Sequence, residues 1–428
     1  MFQKGEDVSE QLIITESRPM MGPTLPGERI EVLDVLRGFA ILGILLVNMA
    51  LFNSPFYLLV TDVKLWTGGA DRLAIWLIRF FAEGKFYSLF SFLFGLGFTL
   101  QMMRAESRGA RFAPFYRRRL LVLLLIGLAH AFLLWSGDIL AIYAVFGFLL
   151  LLFRVRSQKT IVVWTIICLL IPIVITAAGA GFIELGRSIP EAAAEIDKAF
   201  AETVAGYEAL IEQSLRVYSQ GSFGEIMAQR AQDTGFLYFT LIFWGPNILA
   251  MFLIGLYVGR RKFLQNVTAH LPLIRKVMWW GLGLGLVGNL IFVVARESSN
   301  PPILSLTTLV YTVFFAIGAP ALCFFYVSAI ILLVQREAWR KRLAPLAAAG
   351  RMALSNYLFQ SLICTTIFYS YGLGLYGKVG PAVGIVLTIV IFIIQVALSV
   401  WWLRRFKFGP FEWFWRSLTY GKRQAMRV

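Results

Sequence analysis

Apolar runs of membrane length follow one another along this chain, separated by short polar stretches. A bilayer core of about 30 Å takes about 20 apolar residues in helical form to cross. Only helices or closed barrels satisfy their backbone polar groups there. The pattern predicts about ten transmembrane helices, at Leu33–Phe52, Phe86–Met103, Leu120–Trp135, Ile139–Phe153, Ile161–Ile183, Gly235–Gly259, Val277–Ala295, Leu304–Val334, Leu354–Tyr371 and Pro381–Leu403. The third and fourth are short, and only Ser136 and Gly137 separate them, which predicts a tight helical hairpin. One stretch departs from the pattern. Between Glu184 and Asp233, the residues Ile196, Phe200, Val204, Tyr207, Ile211, Leu215 and Tyr218 recur at steps of three and four, the apolar face of a helix. Gly221-Ser222 predicts a break, and Phe223–Gln232 a second short helix. This hairpin either lies on the membrane and the other spans or caps a cavity opening outward. Leu73–Ala82 is a second interfacial candidate, apolar at Leu73, Trp76, Leu77, Phe80 and Phe81 and polar at Arg79.

The expected fold class is therefore all-α, a polytopic integral membrane protein with one extracytoplasmic amphipathic helical loop. Its parts are an N-terminal segment (1–30), a first five-span bundle (31–183), the outer loop (184–234), a second five-span bundle (235–403) and a basic tail (404–428).

Composition agrees with this reading. Hydrophobic residues make up 58% and charged residues 15%, against about 25% charged in a soluble domain. A soluble enzyme, a disordered chain and a secreted disulfide scaffold are excluded. The formal charge is +16, which in a soluble protein would suggest nucleic acid. Its distribution points elsewhere. The linkers after spans two, four, six and eight, with the tail, carry 26 Lys+Arg against Glu106, Glu337 and Glu412, a net +23. The opposite linkers carry −4 and the N-terminal segment −3. Under the positive-inside rule both termini are cytoplasmic. The clusters Arg104, Arg108, Arg111, Arg117, Arg118, Arg119, then Arg260, Arg261, Lys262, then Arg340, Lys341, Arg342 set topology against anionic headgroups. One of them could also grip a phosphate-bearing cytoplasmic substrate. The first 30 or so residues are acidic and lack the basic start of a signal peptide, so the first span is expected to be retained. Cys168, Cys323 and Cys364 all fall inside spans, so no disulfide framework and no metal site are expected.

Ionisable groups at membrane depth cost at least about 2.5–3.5 kcal/mol on insertion scales, so they are functional candidates. Asp34 and Arg37 open span one at an i, i+3 spacing that allows an ion pair, and Asn48 follows on roughly the same side. His130 lies deep in span three, and Asp138 follows across the Ser136-Gly137 turn. A carboxylate there can fix an imidazole tautomer and raise its basicity, or simply cap the next helix. At 1.5 Å per residue His130 lies about 8–9 Å below the turn, so contact requires an early helix end or a bridging water. Lys85, Tyr87 and Ser88 form a polar strip entering span two, and Asn356 and Gln360 share a face of span nine. Both strips also suit ordinary interhelical hydrogen bonds. Phe92-Leu-Phe-Gly95-Leu96 weakly echoes Phe252-Leu-Ile-Gly255-Leu256.

The segment from Arg29 through Asp34, Arg37-Gly38 and Gly43 to Asn48 resembles the opening of the bacterial YeiB-type membrane proteins (domain of unknown function 418). So do Gly84-Lys85-Phe-Tyr-Ser88, Leu128-Ala-His130 followed by Gly137-Asp138, Gly350-Arg351 through Asn356 to Gln360-Ser, and Phe408-Gly409-Pro410 through Trp415-Arg416 to Gly421. The resemblance implies a multi-pass protein of the bacterial inner membrane. The first span is also similar to a wider superfamily of transmembrane acyltransferases, among them the lysosomal heparan α-glucosaminide N-acetyltransferase and bacterial sugar O-acyltransferases. That resemblance implies transfer from cytoplasmic acyl-CoA to an acceptor at the other face, with a histidine as base. This chain has no histidine between Asn53 and Asp71, so His130 takes that role.

Two functions compete. As an acyltransferase, His130 would deprotonate a hydroxyl or amine of a small-molecule, lipid or glycan acceptor, with Asp138 orienting it. Asn356, Tyr87 or Ser88 would steady the oxyanion, and Arg117, Arg118 and Arg119 would hold the phosphates of acyl-CoA. Acyl-CoA is then a co-substrate, and no tightly bound cofactor is expected. As a proton-coupled transporter or flippase, His130 and Asp138 form the proton site and Asp34–Arg37 a gate. Haem or quinone binding by His130 is a weaker third. The partners expected are the lipid bilayer and the acceptor, with no nucleic acid. Gly- and Phe-rich faces are compatible with a homodimer.

Overall fold

The computed structural model describes residues 29–61, 63–298 and 304–428. The acidic N-terminal segment, expected to be cytoplasmic, therefore lies outside the described residues up to position 28. Among the described residues the regular structure is α-helical, with short 3-10 turns, irregular connections and one isolated bridge between Phe406 and Arg427. The helices are α1 (Glu31–Asn53), α2 (Gly69–Phe81), α3 (Lys85–Ser107), α4 (Phe112–Leu133), α5 (Leu140–Leu152), α6 (Gln158–Arg187), α7 (Pro190–Gln220) and α8 (Phe223–Arg260). They continue with α9 (Leu271–Ser298), α10 (Leu306–Val334), α11 (Glu337–Arg351), α12 (Ala353–Phe368), α13 (Pro381–Leu403) and α14 (Pro410–Tyr420).

Among the described residues, seven helical segments are long and apolar enough to cross a membrane: Glu31–Asn53, Gly69–Ser107, Gln158–Arg187, Phe223–Arg260, Thr268–Ser298, Leu306–Val334 and Pro381–Leu403. The protein is thus a multi-pass helical membrane protein. Its apolar side chains also point outward: Val383, Val386, Ile389, Val390 and Ile393 form an exposed stripe on α13, as lipid contact requires. The remaining three expected spans correspond to α4, α5 and α12. With 13 residues, α5 reaches about 20 Å. With 16 residues, α12 reaches about 24 Å. The first turns of α4 carry Arg117, Arg118 and Arg119.

Two expectations about the connections change. The second short helix over Phe223–Gln232 is the opening of α8, which runs 38 residues without interruption. The break before it is real: Ser222 and Glu225 form a reciprocal capping box that starts a new helix. No helix-breaking residue then stops α8 before it enters the apolar segment. The α4–α5 turn is also longer than two residues, because α4 ends at Leu133 and α5 begins at Leu140.

Glycines decide where the helices cross. The two echoing segments pack against each other. A Cβ on Gly95 would lie 2.0 Å from the Phe252 carbonyl oxygen, and a Cβ on Gly255 would lie 2.3 Å from that of Phe92. α3 and α8 therefore touch backbone to backbone, each using the same Phe-Leu-X-Gly-Leu pattern. α1 and α11 cross in the same way, with a Cβ on Gly350 falling 1.8 Å from the Asp34 carbonyl oxygen. Without a hydrophobic drive inside lipid, such close van der Waals approach holds helices together. Segments 31–183 and 235–403 interlock through these two crossings.

Gly95→Leu should destabilise the purified protein by about 1–3 kcal/mol or more, because the backbone contact leaves no room to repack. In unfolding measurements, the pair Gly95→Ala and Gly255→Ala should be non-additive, since both act on one crossing. Strict additivity would contradict the reciprocal contact.

Candidate functional site

The site begins with the early end of α4. Its last turn is closed by the Leu134 and Trp135 N–H groups, which both donate to the His130 carbonyl at 3.0 and 2.8 Å, so the chain leaves the helix on a wider five-residue step. The chain then reverses through Ser136 and Gly137, and α5 packs back on α4. A Cβ on Gly127 would lie 2.2 Å from the Ala141 nitrogen, so only glycine permits this approach. The reversal brings Asp138 down to the depth of His130, and the two side chains meet directly, Nδ1 to Oδ1, at 2.8 Å. The other carboxylate oxygen accepts the Ala141 N–H at 2.6 Å. Asp138 therefore does both things the sequence allows: it holds the imidazole and caps α5.

On its other side, the His130 imidazole meets a residue the sequence reading passed over. Nε2 lies 2.8 Å from the Ser361 hydroxyl oxygen on α12. All three side chains are buried, Ser361 and Asp138 at 0% and 3% exposure and His130 at 3%. With a carboxylate accepting at Nδ1, the neutral imidazole carries its proton there and Nε2 is left to accept from Ser361, whose hydroxyl also lies 3.4 Å from the Tyr357 carbonyl. The order hydroxyl, imidazole, carboxylate is that of a nucleophile, its base and the group orienting the base. Tyr357 packs beside the ring, with centroids 5.1 Å apart. Its hydroxyl donates to the Gly137 carbonyl and accepts from the Ile139 N–H, each at 3.3 Å, tying α12 to the turn. Trp135 closes another side of the imidazole.

The other candidates are distributed elsewhere. Asn356 donates to the Ala349 carbonyl and the Ser399 hydroxyl, and Gln360 donates to Gln395, so this strip joins α12 to α13. Lys85 is fully buried, and its ammonium donates to the Arg79 carbonyl at 2.8 Å. The Tyr87 carbonyl accepts from Tyr143, whose hydroxyl also meets Ser91. Ser88 is buried and Tyr87 half-buried on α3, beside Asn247 and Pro320. None of these side chains is hydrogen-bonded to His130, Asp138 or Ser361. Asp34 pairs with both Arg29 and Arg37, at 3.2 and 2.8 Å. Asn48 is half-buried further along α1. Arg117 and Arg118 are exposed at the start of α4. Arg119 instead stacks on Trp415 of α14, with its guanidinium carbon 3.7 Å from the ring centroid. The tail helix is anchored further by Glu412, which accepts from the Ser355 N–H and hydroxyl. Burial pushes that carboxyl above the usual range, against the pull of these hydrogen bonds.

Comparison with known proteins bears on what this site belongs to. A family described as a protein of unknown function (DUF418) matches residues 258–422. The protein YxaH of Bacillus subtilis is 40% identical over 415 residues, covering 93% of this chain and 96% of the relative. The chain belongs to the YeiB family of DUF418 proteins. A 39.9 kDa protein encoded in the amylase 3′ region of Bacillus acidopullulyticus is 30% identical over 408 residues, covering 94% of this chain and 97% of its own length. YeiB of Escherichia coli K12 is 29% identical over 420 residues, covering 92% and 96%. No solved structure matches the chain.

The matched DUF418 segment contains Ser361 but neither His130 nor Asp138, so the candidate site is assembled from both halves of the chain. Removing its members should cost stability in a definite order. Asp138→Ala loses the imidazole bond and the α5 cap, Asp138→Asn keeps an acceptor for one of them, and Ser361→Ala loses one hydroxyl. With about 1 kcal/mol for a cap and about 1–3 for a buried polar group left unpaired, unfolding should rank the variants in that order. A Ser361→Ala variant less stable than Asp138→Ala would contradict the geometry.

Proposed function

We propose that the protein is a ten-span acyltransferase of the bacterial cytoplasmic membrane, with both termini in the cytoplasm. It takes an acyl group from cytoplasmic acyl-CoA and delivers it to a hydroxyl or amine acceptor at the opposite face. The observation that carries this reading is the 2.8 Å contact between Ser361 Oγ and His130 Nε2, with Asp138 on the far nitrogen. The net +23 on one set of loops supports the orientation.

The chemistry follows from that alignment. Asp138 keeps the Nδ1 proton in place, so the Nε2 lone pair faces Ser361. His130 takes the hydroxyl proton as Oγ attacks the thioester carbonyl carbon. The carbon–sulfur bond breaks, and the leaving thiolate takes the proton from the imidazolium. The acyl group is then an ester on Ser361. His130 next deprotonates the acceptor, which attacks the ester carbonyl, and Ser361 Oγ leaves and is reprotonated. Tyr357 and Trp135 keep water from this path, which strengthens each electrostatic contact within it. The exposed Arg117 and Arg118 are the phosphate ligands. Eleven residues of α4 separate Arg119 from His130, about 16 Å of helix, so the thioester arm of CoA must thread between α4 and its neighbours.

A second reading keeps one observation of its own. Asp34 bridges Arg29 and Arg37 near the end of the bundle opposite His130, as a gate would. In a proton-coupled transporter the His130–Asp138 pair would carry the proton and Ser361 would be dispensable.

The test is to incubate full-length protein in nanodiscs with labelled acetyl-CoA, quench in acid and map the label by mass spectrometry. Acetyl-Ser361 is the expected product, with its formation about a thousandfold slower in His130→Gln. No label on Ser361, together with proton-driven uptake that survives Ser361→Ala, would overturn the acyltransferase in favour of the transporter.

A further inference from the structure

A second buried polar cluster lies beneath the α7–α8 hairpin, at the end of α4 opposite Arg117–Arg119. Its centre is Asp233 on α8. One carboxylate oxygen accepts from the Tyr218 hydroxyl at 2.6 Å and the other from Gln229 at 2.9 Å. Asp233 is thus satisfied. Arg230, one turn earlier and fully buried, is not. Its Nη1 reaches the Phe132 carbonyl at 3.4 Å and the Met227 sulfur at 3.3 Å, while Nε and Nη2 have no hydrogen-bond partner. Tyr57 and Tyr376 are buried in the same cluster; the Tyr376 hydroxyl also lacks a partner, and the Tyr57 hydroxyl faces Asp233. The ring of Tyr376 lies 4.8 Å from that of Tyr218, and the Arg230 guanidinium sits 5.7 Å over Tyr369, itself stacked on Tyr218. Trp135 and Ser136, on the turn that carries Asp138, add an unpartnered indole N–H and hydroxyl.

Unpartnered donors in this number are not a packing accident, because an unsatisfied buried guanidinium is among the costliest groups a fold can contain. Their chemistry is also one-sided. The free atoms of Arg230 and Trp135 can only donate, and the hydroxyls can donate. The Nε–Nη2 edge is the edge of arginine that holds two oxygens of one phosphate in parallel. The one carboxylate of the cluster, Asp233, lies within electrostatic reach of Arg230 but spends both oxygens on Tyr218 and Gln229, so the Nε–Nη2 edge is left without an oxygen partner. The cluster adjoins the proposed chemistry, since the Phe132 carbonyl that Arg230 reaches lies two residues past His130.

We propose that Arg230, Tyr57 and Tyr376 form a phosphate-binding site on the outer side of the His130 group, which holds the phosphate borne by the acyl acceptor. The acceptor role rests on the acyltransferase reading; the phosphate site itself does not. The phosphate comes from a lipid headgroup or from a free phosphorylated molecule, and the shared chemistry is the same. In this structure Tyr218, Tyr369 and Tyr376 close over the cluster. The hairpin is pinned to the end of α12 by the Ser370 N–H donating to the Tyr218 carbonyl at 2.7 Å, so it must swing away to admit a ligand.

The experiment is thermal unfolding of the full-length protein in detergent, titrated with inorganic phosphate or with dioctanoyl phosphatidylglycerol. Stabilisation by the lipid alone would assign the phosphate to a headgroup, and stabilisation by both would assign the site to phosphate itself. Either supports the proposal if Arg230→Gln weakens the effect roughly tenfold or more, the scale of a charge-assisted bidentate contact. Tyr376→Phe, which preserves packing, should weaken it severalfold and decides the matter if Arg230→Gln does not fold. Ser361→Ala should bind as the wild type does, so a failure of acyl transfer leaves this result standing. No stabilisation by either ligand, or equal stabilisation of the wild type and the folded variants, would overturn the site.

Discussion

The contact between His130 and Asp138 is the constraint from which the central part of the bundle follows. A carboxylate at this depth is tolerable only if its charge is met by donors. Two are supplied, the imidazole Nδ1–H and the Ala141 N–H. Both depend on α4 ending at Leu133 and on the chain folding back at Gly137. Had α4 continued to the end of its apolar run, Asp138 would stand a turn or more above the histidine. The tight turn, the glycine approach at Gly127 and the tie from Tyr357 all serve that descent. With the imidazole fixed, the facing position on α12 becomes chemically distinct, and Ser361 occupies it.

Around this centre the bundle is set by glycine. Gly95 and Gly255 bring α3 and α8 to backbone contact, and Gly38 and Gly350 do the same for α1 and α11. These crossings link early and late segments of the chain, which is what lets a histidine from α4 meet a serine from α12. The basic end is closed by the tail. Arg119 on Trp415 and Ser355 on Glu412 hold α14 against α4 and α12. The two ends of α4 thus face different chemistry, with arginines at the start and a buried, donor-rich cluster under the α7–α8 hairpin at its close.

Much of the fold was legible in the hydropathy alone, since membrane residence makes the apolar runs long and the loops charged. His130 and Asp138 were legible because ionisable residues stand out in such runs. Their contact was not, because it depends on where α4 stops, and helix ends are read poorly from sequence. Ser361 was missed for a different reason. A serine in an apolar helix is ordinary, and only its position facing His130 marks it. Its four-residue spacing from Tyr357, which ties α12 to the turn, was the available signal. Asn356 and Gln360 share a face of α12, as their spacing predicts, but periodicity does not name the neighbour, which is α13. Arg230 and Asp233 fall by the sequence pattern in the outer helical hairpin, outside the spans, where a charge does not stand out. The uninterrupted α8 instead buries them under the hairpin.

Everything proposed for this site turns on one tautomer, with the His130 proton on Nδ1 toward Asp138 and Nε2 offered to Ser361. The chain has two histidines, so His270→Gln leaves His130 as the single imidazole. Nitrogen-15 NMR of the histidine-labelled variant in nanodiscs at neutral pH reads the two ring nitrogens directly. The expected result is a protonated Nδ1 and an unprotonated, hydrogen-bonded Nε2 whose shift changes in Ser361→Ala. A protonated Nε2 donating to Ser361, unmoved by Asp138→Asn, would contradict it and leave the three side chains a structural network only.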